Sequence, residues 1–284
     1  MQPYTIKEEK ENMRKLLTLE DIHEREKTMV FMFHDLCEKH GLRYYLCGGT
    51  LLGAVRHQDF IPWDDDIDVM MDRENYDKFC NICMNTINKD DESNYKLDDY
   101  RLDCHYNFFF SKFVDISKVY TKSEKLEKHS FLYEGIYIDI FPFDYVNDSK
   151  LLKPLMNIYA KTLHSGYRAK ALKVKGIKSI IKKLLFVPFS KKFFRTRYRH
   201  LVNYGLSRES KNEKVSICSF NFYIKNSCKL FYFDKDLFNN YVLVKFDKYE
   251  FPVIQKYDYF LREIFGDYMI PPKDKLRKPQ HSNE

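Results

Sequence analysis

No run of about 18 consecutive apolar residues, the length a helix needs to span a bilayer, occurs anywhere in the chain. Residues 1–15 are charged and lack an apolar stretch of secretory length, so the expected compartment is the cytoplasm. Cysteine is scarce and odd in number, seven at irregular spacing, which excludes a regular disulfide framework and fits a reducing compartment. Internal repeats are missing, which argues against a solenoid. No recognised nucleic-acid-binding motif is found either, and no nucleic-acid partner is expected. Acidic residues are absent from one long stretch: residues 149–208 contain 16 Lys or Arg and no Asp or Glu. The rest of the chain holds 32 basic against 41 acidic residues, so this one stretch accounts for the net charge of +7.

What remains is ample for a folded enzyme. With 44% hydrophobic and 17% aromatic residues among 284, the chain can bury the core of one or two domains. Met29, Val30, Met32, Phe33, Leu36 and Cys37 recur near 3.6-residue spacing and predict a helix over 21–40, ended by Gly41. A second helix is predicted over 73–87, where Tyr76, Phe79, Cys80, Cys83, Met84 and Ile87 share a face. Cys80 and Cys83, with Cys104 and His105, have the composition of a zinc site, but the helical spacing favours buried thiols. Strands are predicted over 43–47, 67–71, 107–115 and 135–140. The order helix, strand, Gly-Gly turn, acidic strand, helix and further strands predicts an α/β sheet with the site at one edge.

The chemistry concentrates between residues 44 and 69. An apolar run ends in Gly48-Gly49, where a backbone without side chains can approach a ligand and offer N–H groups to phosphate oxygens. Asp64, Asp65, Asp66 and Asp68 follow within five residues. They form either a solvated acidic turn or a metal site. Alternation along a strand sends Asp66 and Asp68 to one face and Ile67 and Val69 to the core, with the two carboxylates about 6–7 Å apart, a spacing suited to Mg²⁺. Asp139 lies between Ile138 and Ile140 in another apolar strand, where an unpaired carboxylate is costly. A shared metal, a proton-accepting role or a structural bond near Pro142 would each explain it. Asp64 has the same strand parity as Asp66 and Asp68 and rivals Asp139 as proton acceptor. Lys112 suits a donor phosphate as a point charge, and Arg56 suits a forked phosphate contact that His57 orients; salt-bridge roles for Arg56 and His57 are equally open. Trp63, the only tryptophan, is expected to pack the motif.

The string Gly48-Gly49-Thr50-Leu51-Leu52-Gly53-Ala54-Val55-Arg56-His57, with Phe60-Ile61-Pro62-Trp63-Asp64-Asp65-Asp66-Ile67-Asp68, resembles the LicD family of phosphocholine transferases, related to fukutin and fukutin-related protein. The resemblance continues through Phe110-Ser111-Lys112, Gly135-Ile136-Tyr137-Ile138-Asp139-Ile140-Phe141-Pro142, and Ile264-Phe265-Gly266-Asp267-Tyr268-Met269 with Pro271-Pro272. Gln58-Asp59 stands where the family usually has a glycine at the tip of a turn, and no proline precedes Tyr257-Asp258. The resemblance implies an α/β fold, a nucleotidyltransferase-like mixed β-sheet flanked by helices with a basic helical insertion. It would divide into a catalytic core over 1–145, an insertion over 146–215 and a segment completing the core over 216–284. It further implies Asp66, Asp68 and Asp139 as ligands of Mg²⁺ or Mn²⁺, Asp139 as general base with Asp64 as the alternative, and Gly48, Gly49, Thr50, Arg56, His57 and Lys112 around the donor phosphates. The implied reaction moves phosphocholine from CDP-choline to a hydroxyl of a cell-surface glycan, releasing CMP, with three alternatives: a CDP-activated ribitol or glycerol as donor, plain nucleotidyl transfer releasing diphosphate, or a non-catalytic membrane-associated scaffold.

The basic stretch reads as a surface element. Ile177, Ile180, Ile181, Leu184, Leu185 and Phe186 recur at helical spacing among Lys178, Lys182 and Lys183. The pattern fits a helix lying on an anionic membrane through residues 168–200, where a lipid-linked glycan acceptor would be found, or a core-packing helix with a charged outer face.

Overall fold

In the computed structural model, helix α1 spans Leu19–Lys39 and starts with a capping box in which the Thr18 and Asp21 side chains each accept the other's backbone N–H. His40 caps its end, and Gly41 turns the chain out at φ +61°, as predicted. The structure describes residues 18–102, 106, 108–117, 132–133, 135–146, 149, 152–169, 177–206, 214–216, 231–273 and 277. Strand β1 (Tyr45–Leu46) is followed by helix α2 (Gly48–His57), β2 (Ile67–Asp72) and α3 (Arg73–Asn85). Then come β3 (Tyr95–Asp98), β4 (Ser111–Asp115) and the long β5 (Ile136–Val146).

These strands form one mixed sheet in the order β1-β2-β5-β4-β3. Only β2 and β5 run parallel, with Ile67 opposite Ile138 and Asp68 opposite Asp139; β1 with β2, β4 with β5 and β3 with β4 are antiparallel. The central strands are buried on both faces: Ile67, Val69, Met70, Met71, Ile138 and Ile140 are solvent-inaccessible. α1 and α3 pack on the sheet around Met29, Phe33, Phe79 and Phe113, with Phe33 in ring contact with both Phe79 and Phe113.

The three helices α4 (Leu152–Ala169), α5 (Ile177–Phe186) and α6 (Lys191–Leu206) follow β5. The chain then returns to the sheet as β6 (Lys214–Ser216), which pairs with the far end of β5 at Asp144, Tyr145 and Val146, and as β7 (Phe233–Asp234) alongside β6. Pro142 has no N–H to donate. It lies between Ile140, the last β5 residue paired with β4, and Asp144, the first paired with β6, where no described strand residue pairs with it on that side. A hairpin of β8 (Tyr241–Phe246) and β9 (Tyr249–Ile254) packs on β1 and α2, and α7 (Tyr257–Phe265) follows it.

Two expectations are corrected. Gly48 and Gly49 do not form a turn between strands; they open α2, with Gly48 at φ +57° as its entry. The site does not lie at the sheet edge: β5, arriving from about 70 residues downstream, pairs with β2 and leaves the acidic strand between the short β1 and β5. The departure at Gln58-Asp59 is absorbed by Gln58, which caps α2 at φ +56° while its carbonyl accepts from Asp247 N–H. Asp59 instead receives Lys27 Nζ at 3.0 Å.

Candidate active site

The parallel register of β2 and β5 sets Asp68 beside Asp139, and Asp66 sits immediately before β2. One carboxylate oxygen from each of the three lies within 4.8 Å of the others. Asp64, Asp65 and Asp66 satisfy the same limit as a second group, so Asp66 belongs to both. Asp68 and Asp139 are buried. Burial, then the charges of Asp66, Asp139 and Asp64, push the Asp68 carboxyl well above the ordinary carboxylate range. Lys112 is the β4 neighbour of Asp139, and its ammonium donates to Asp139 Oδ1. The same ammonium lies 3.3 Å from the centre of the Tyr137 ring, a cation–π contact.

The acidic strand is held from α2. Thr50 is buried, and its hydroxyl accepts from the Asp68 N–H at 2.8 Å, locking the strand to the first turn of the helix. Gly49 faces Asp64 so closely that a Cβ there would meet Asp64 Oδ2 at 2.2 Å. Asp64 is fixed from a second side by His23 of α1, whose Nε2 lies 2.7 Å from its backbone oxygen while the ring stacks on Phe60. Arg56 and His57 are at the opposite end of α2, about 12 Å along the axis from Gly48. There Arg56 Nη1 donates to Tyr268 O at 2.7 Å and Nε to His57 Nε2 at 2.9 Å. The structure therefore brings Asp64, Asp66, Asp68, Asp139, Lys112, Gly48, Gly49 and Thr50 into one region and seats Arg56 and His57 against the carboxy-terminal segment, with Arg56 still within the electrostatic reach of Asp64. Trp63 packs on the core, with the Arg277 guanidinium 5.3 Å from its ring centre.

The donor set suits a hard divalent cation. Three carboxylate oxygens within reach of one another, no sulfur or imidazole, and a buried Asp68 whose charge is costly as it stands all fit Mg²⁺ or Mn²⁺. A thiol site is disfavoured at α3: Cys80 and Cys83 are buried on its inner face, and burial pushes the Cys80 thiol up to about 12 and the Cys83 thiol higher still. Cys104 and His105 lie outside the described residues.

A family model described as LicD/FKTN/FKRP, nucleotidyltransferase domain, matches residues 41–191, more than half of the chain. The chain belongs to this family. Over 260 residues it is 26% identical to the lipopolysaccharide cholinephosphotransferase LicD of Haemophilus influenzae, covering 89% of this chain and 91% of that protein. It is also 62% identical over 32 residues to the ribitol 5-phosphate transferase FKRP of Homo sapiens, a match covering 11% of this chain and 6% of the relative.

Two neighbours of this LicD-family site escaped the sequence reading. Glu26 sits on the buried stripe of α1 with Ile22, Met29, Val30 and Phe33, and its Oε2 has no hydrogen-bond partner among the described residues. Burial, then the charges of Asp66, Asp65, Asp64 and Asp68, raise its carboxyl well above the ordinary range. A glutamate at helical spacing within an apolar face was the available signal. His23, three residues before it, carried none, because its contact with Asp64 crosses 41 residues.

Proposed function

We propose that this LicD-type phosphotransferase carries phosphocholine from CDP-choline to a hydroxyl of a cell-surface glycan of lipopolysaccharide, teichoic acid or capsule type, releasing CMP. The observation that carries this reading is the convergence of Asp68 and Asp139, on adjacent strands of a nucleotidyltransferase-like sheet, with Asp66 just before the first of them. Relatedness over 89% of the chain to a lipopolysaccharide cholinephosphotransferase supports choline as the alcohol. The short, strong match to a ribitol 5-phosphate transferase supports a second reading, in which CDP-ribitol is the donor.

Asp66, Asp68 and Asp139 would hold a divalent cation, Mg²⁺ or Mn²⁺. Bound there, it would offset the charge of the donor diphosphate and of the departing nucleotide. Asp139 would take the proton of the acceptor hydroxyl. The hydroxyl oxygen forms a bond to the phosphorus bearing choline, and the bond from that phosphorus to the bridging oxygen breaks, its electron pair leaving with CMP. Lys112, which already donates to Asp139, orients that carboxylate and brings positive charge beside the donor phosphates. Thr50 holds Asp68 in place, while the Gly48-Gly49 opening of α2 leaves backbone N–H groups for phosphate oxygens. Asp64 is the second candidate for the proton; an Asp64→Asn enzyme that keeps the fall of turnover at acid pH would support Asp139 in the step.

We assign residues 1–145 to the catalytic core, 146–215 to an insertion and 216–284 to a segment that completes the core. The return of β6 to the end of β5 supports this division.

The test is turnover and thermal stability with CDP-choline, CDP-ribitol, CDP-glycerol, CTP and ATP, with and without Mg²⁺, beside Asp66→Asn and Asp68→Asn. The true donor at about 100 times its dissociation constant adds about 2.7 kcal/mol to native stability. Turnover falls by about 10³-fold in either variant. No response to any CDP-alcohol, with variants that behave as the parent, would favour a non-catalytic scaffold.

A further inference from the structure

In α5 the ordinary logic of an amphipathic helix is inverted. Ile177, Ile180, Ile181, Leu184 and Leu185 share one face by their 3.6-residue spacing, and that face points away from the protein. Ile177, Ile181, Leu184 and Leu185 are between 58% and 68% exposed, and Val187, just beyond the helix, is 64% exposed. Phe186, by contrast, turns inward, reaching Gly166 of α4, where an added Cβ would lie 3.1 Å from its ring and 2.4 Å from Phe194 of α6. α4 adds two further exposed apolar side chains, Leu155 and Ile158, both at 63%. A soluble surface seldom leaves this much branched aliphatic side chain in water without a partner.

The charge around it selects the partner. The whole stretch 149–208 has 16 Lys or Arg and not one Asp or Glu, and Lys178, Lys182 and Lys183 lie within α5 itself. A protein groove accepting an aliphatic face does not require such one-sided charge, whereas an anionic lipid surface rewards both features at once. With 10 residues, α5 is about 15 Å long, half the hydrocarbon thickness of a bilayer, and no described helix is long and apolar enough to cross a membrane. We infer that α5 lies in the plane of an anionic membrane surface, with Ile177, Ile181, Leu184 and Leu185 inserted among the acyl chains. This surface shares no residue with the carboxylate site, and the inference does not depend on which donor that site uses.

The experiment is co-sedimentation of the full chain with vesicles of phosphatidylcholine alone and with about one-third phosphatidylglycerol. Three proteins are compared: the parent, Leu184→Gln/Leu185→Gln, and Lys178→Gln/Lys182→Gln/Lys183→Gln. The parent binds the anionic vesicles about tenfold more strongly than the neutral ones, and each variant loses about tenfold of that binding with an unchanged melting temperature. An Ile181→Trp protein provides a readout that does not need a polar substitution to be tolerated: its added emission shifts to the blue with anionic vesicles. Parent-like binding by either variant, no spectral shift, or a vesicle-independent dimer that the leucine variant dissolves would each overturn the inference.

Discussion

Gly49 has no room for even a methyl group, because the Asp64 carboxylate occupies that space. Gly49→Ala must displace either the start of α2 or the acidic loop, and is expected to cost about 1–3 kcal/mol in a denaturant melt, with a loss of turnover that exceeds the loss of folded protein. Glu26 supplies a test by pH. Its carboxyl is raised in the folded chain, so above the unfolded value of about 4.3 the folded state holds more protons than the unfolded one. Its contribution to stability is therefore complete below that value and is lost as pH rises through the folded pKa. In the presence of a chelator, Glu26→Gln should flatten the decline of melting temperature between acid and neutral pH, and an unchanged slope would show that Glu26 does not titrate in this way. At this scale the sequence was most informative where chemistry and periodicity coincide. Asp68 is legible as a carboxylate on an apolar strand with Asp66 just ahead of it, and the burial of Cys80 and Cys83 from helical spacing. The Lys112–Asp139 pair was not legible, because it depends on an antiparallel register between strands 27 residues apart. The Arg56 contact with Tyr268 was not legible for a like reason: its backbone acceptor lies 212 residues away.

Among the elements, α3, β5 and α6 meet at one buried ion pair. Arg73 Nε and Nη2 donate to the two oxygens of Asp144 at 2.7 and 2.8 Å, and Nη2 also reaches the Tyr198 hydroxyl at 3.3 Å. Arg73→Met would leave the Asp144 charge buried without its partner, at a cost of about 3–5 kcal/mol, while Arg73→Met/Asp144→Leu should recover most of it. A double-mutant cycle by chemical denaturation measures the difference, and additive losses would refute the coupling. The helices α1 and α3 were legible because each carries a full apolar stripe, and the strands around residues 45, 69, 113 and 138 because each is an apolar run. The hairpin β8–β9 was not. Its strands are partly exposed, and its two-residue turn is Asp247-Lys248, with Asp247 at φ +56° and none of the glycine that usually marks such a turn. Strand β3 went unseen for a similar reason: Tyr95–Asp98 reads as a charged tetrapeptide, and its burial comes from its place beside β4.

The molecule as a whole separates its charges. Acidic side chains gather where α1, β2 and β5 meet, and basic ones dominate the helices inserted after β5. Strand β5 belongs to both regions. Asp139 lies near its start and Asp144 toward its end, five residues or about 17 Å apart along one continuous strand, and α6 approaches it so closely that a Cβ on Gly205 would sit 2.3 Å from Tyr145 O. Hydrogen–deuterium exchange should find the amides of Ile138–Ile140 among the slowest in the chain, paired on both sides and protected even when α5 opens locally. Equal protection in α5 and β5 would mean that the chain opens as one cooperative unit. With β5 as the last part to loosen, heat or denaturant would release the inserted helices first and leave the carboxylates in register. On the anionic membrane inferred for α5, the chain would then lose its grip before it lost its chemistry, and inactivation would begin as detachment.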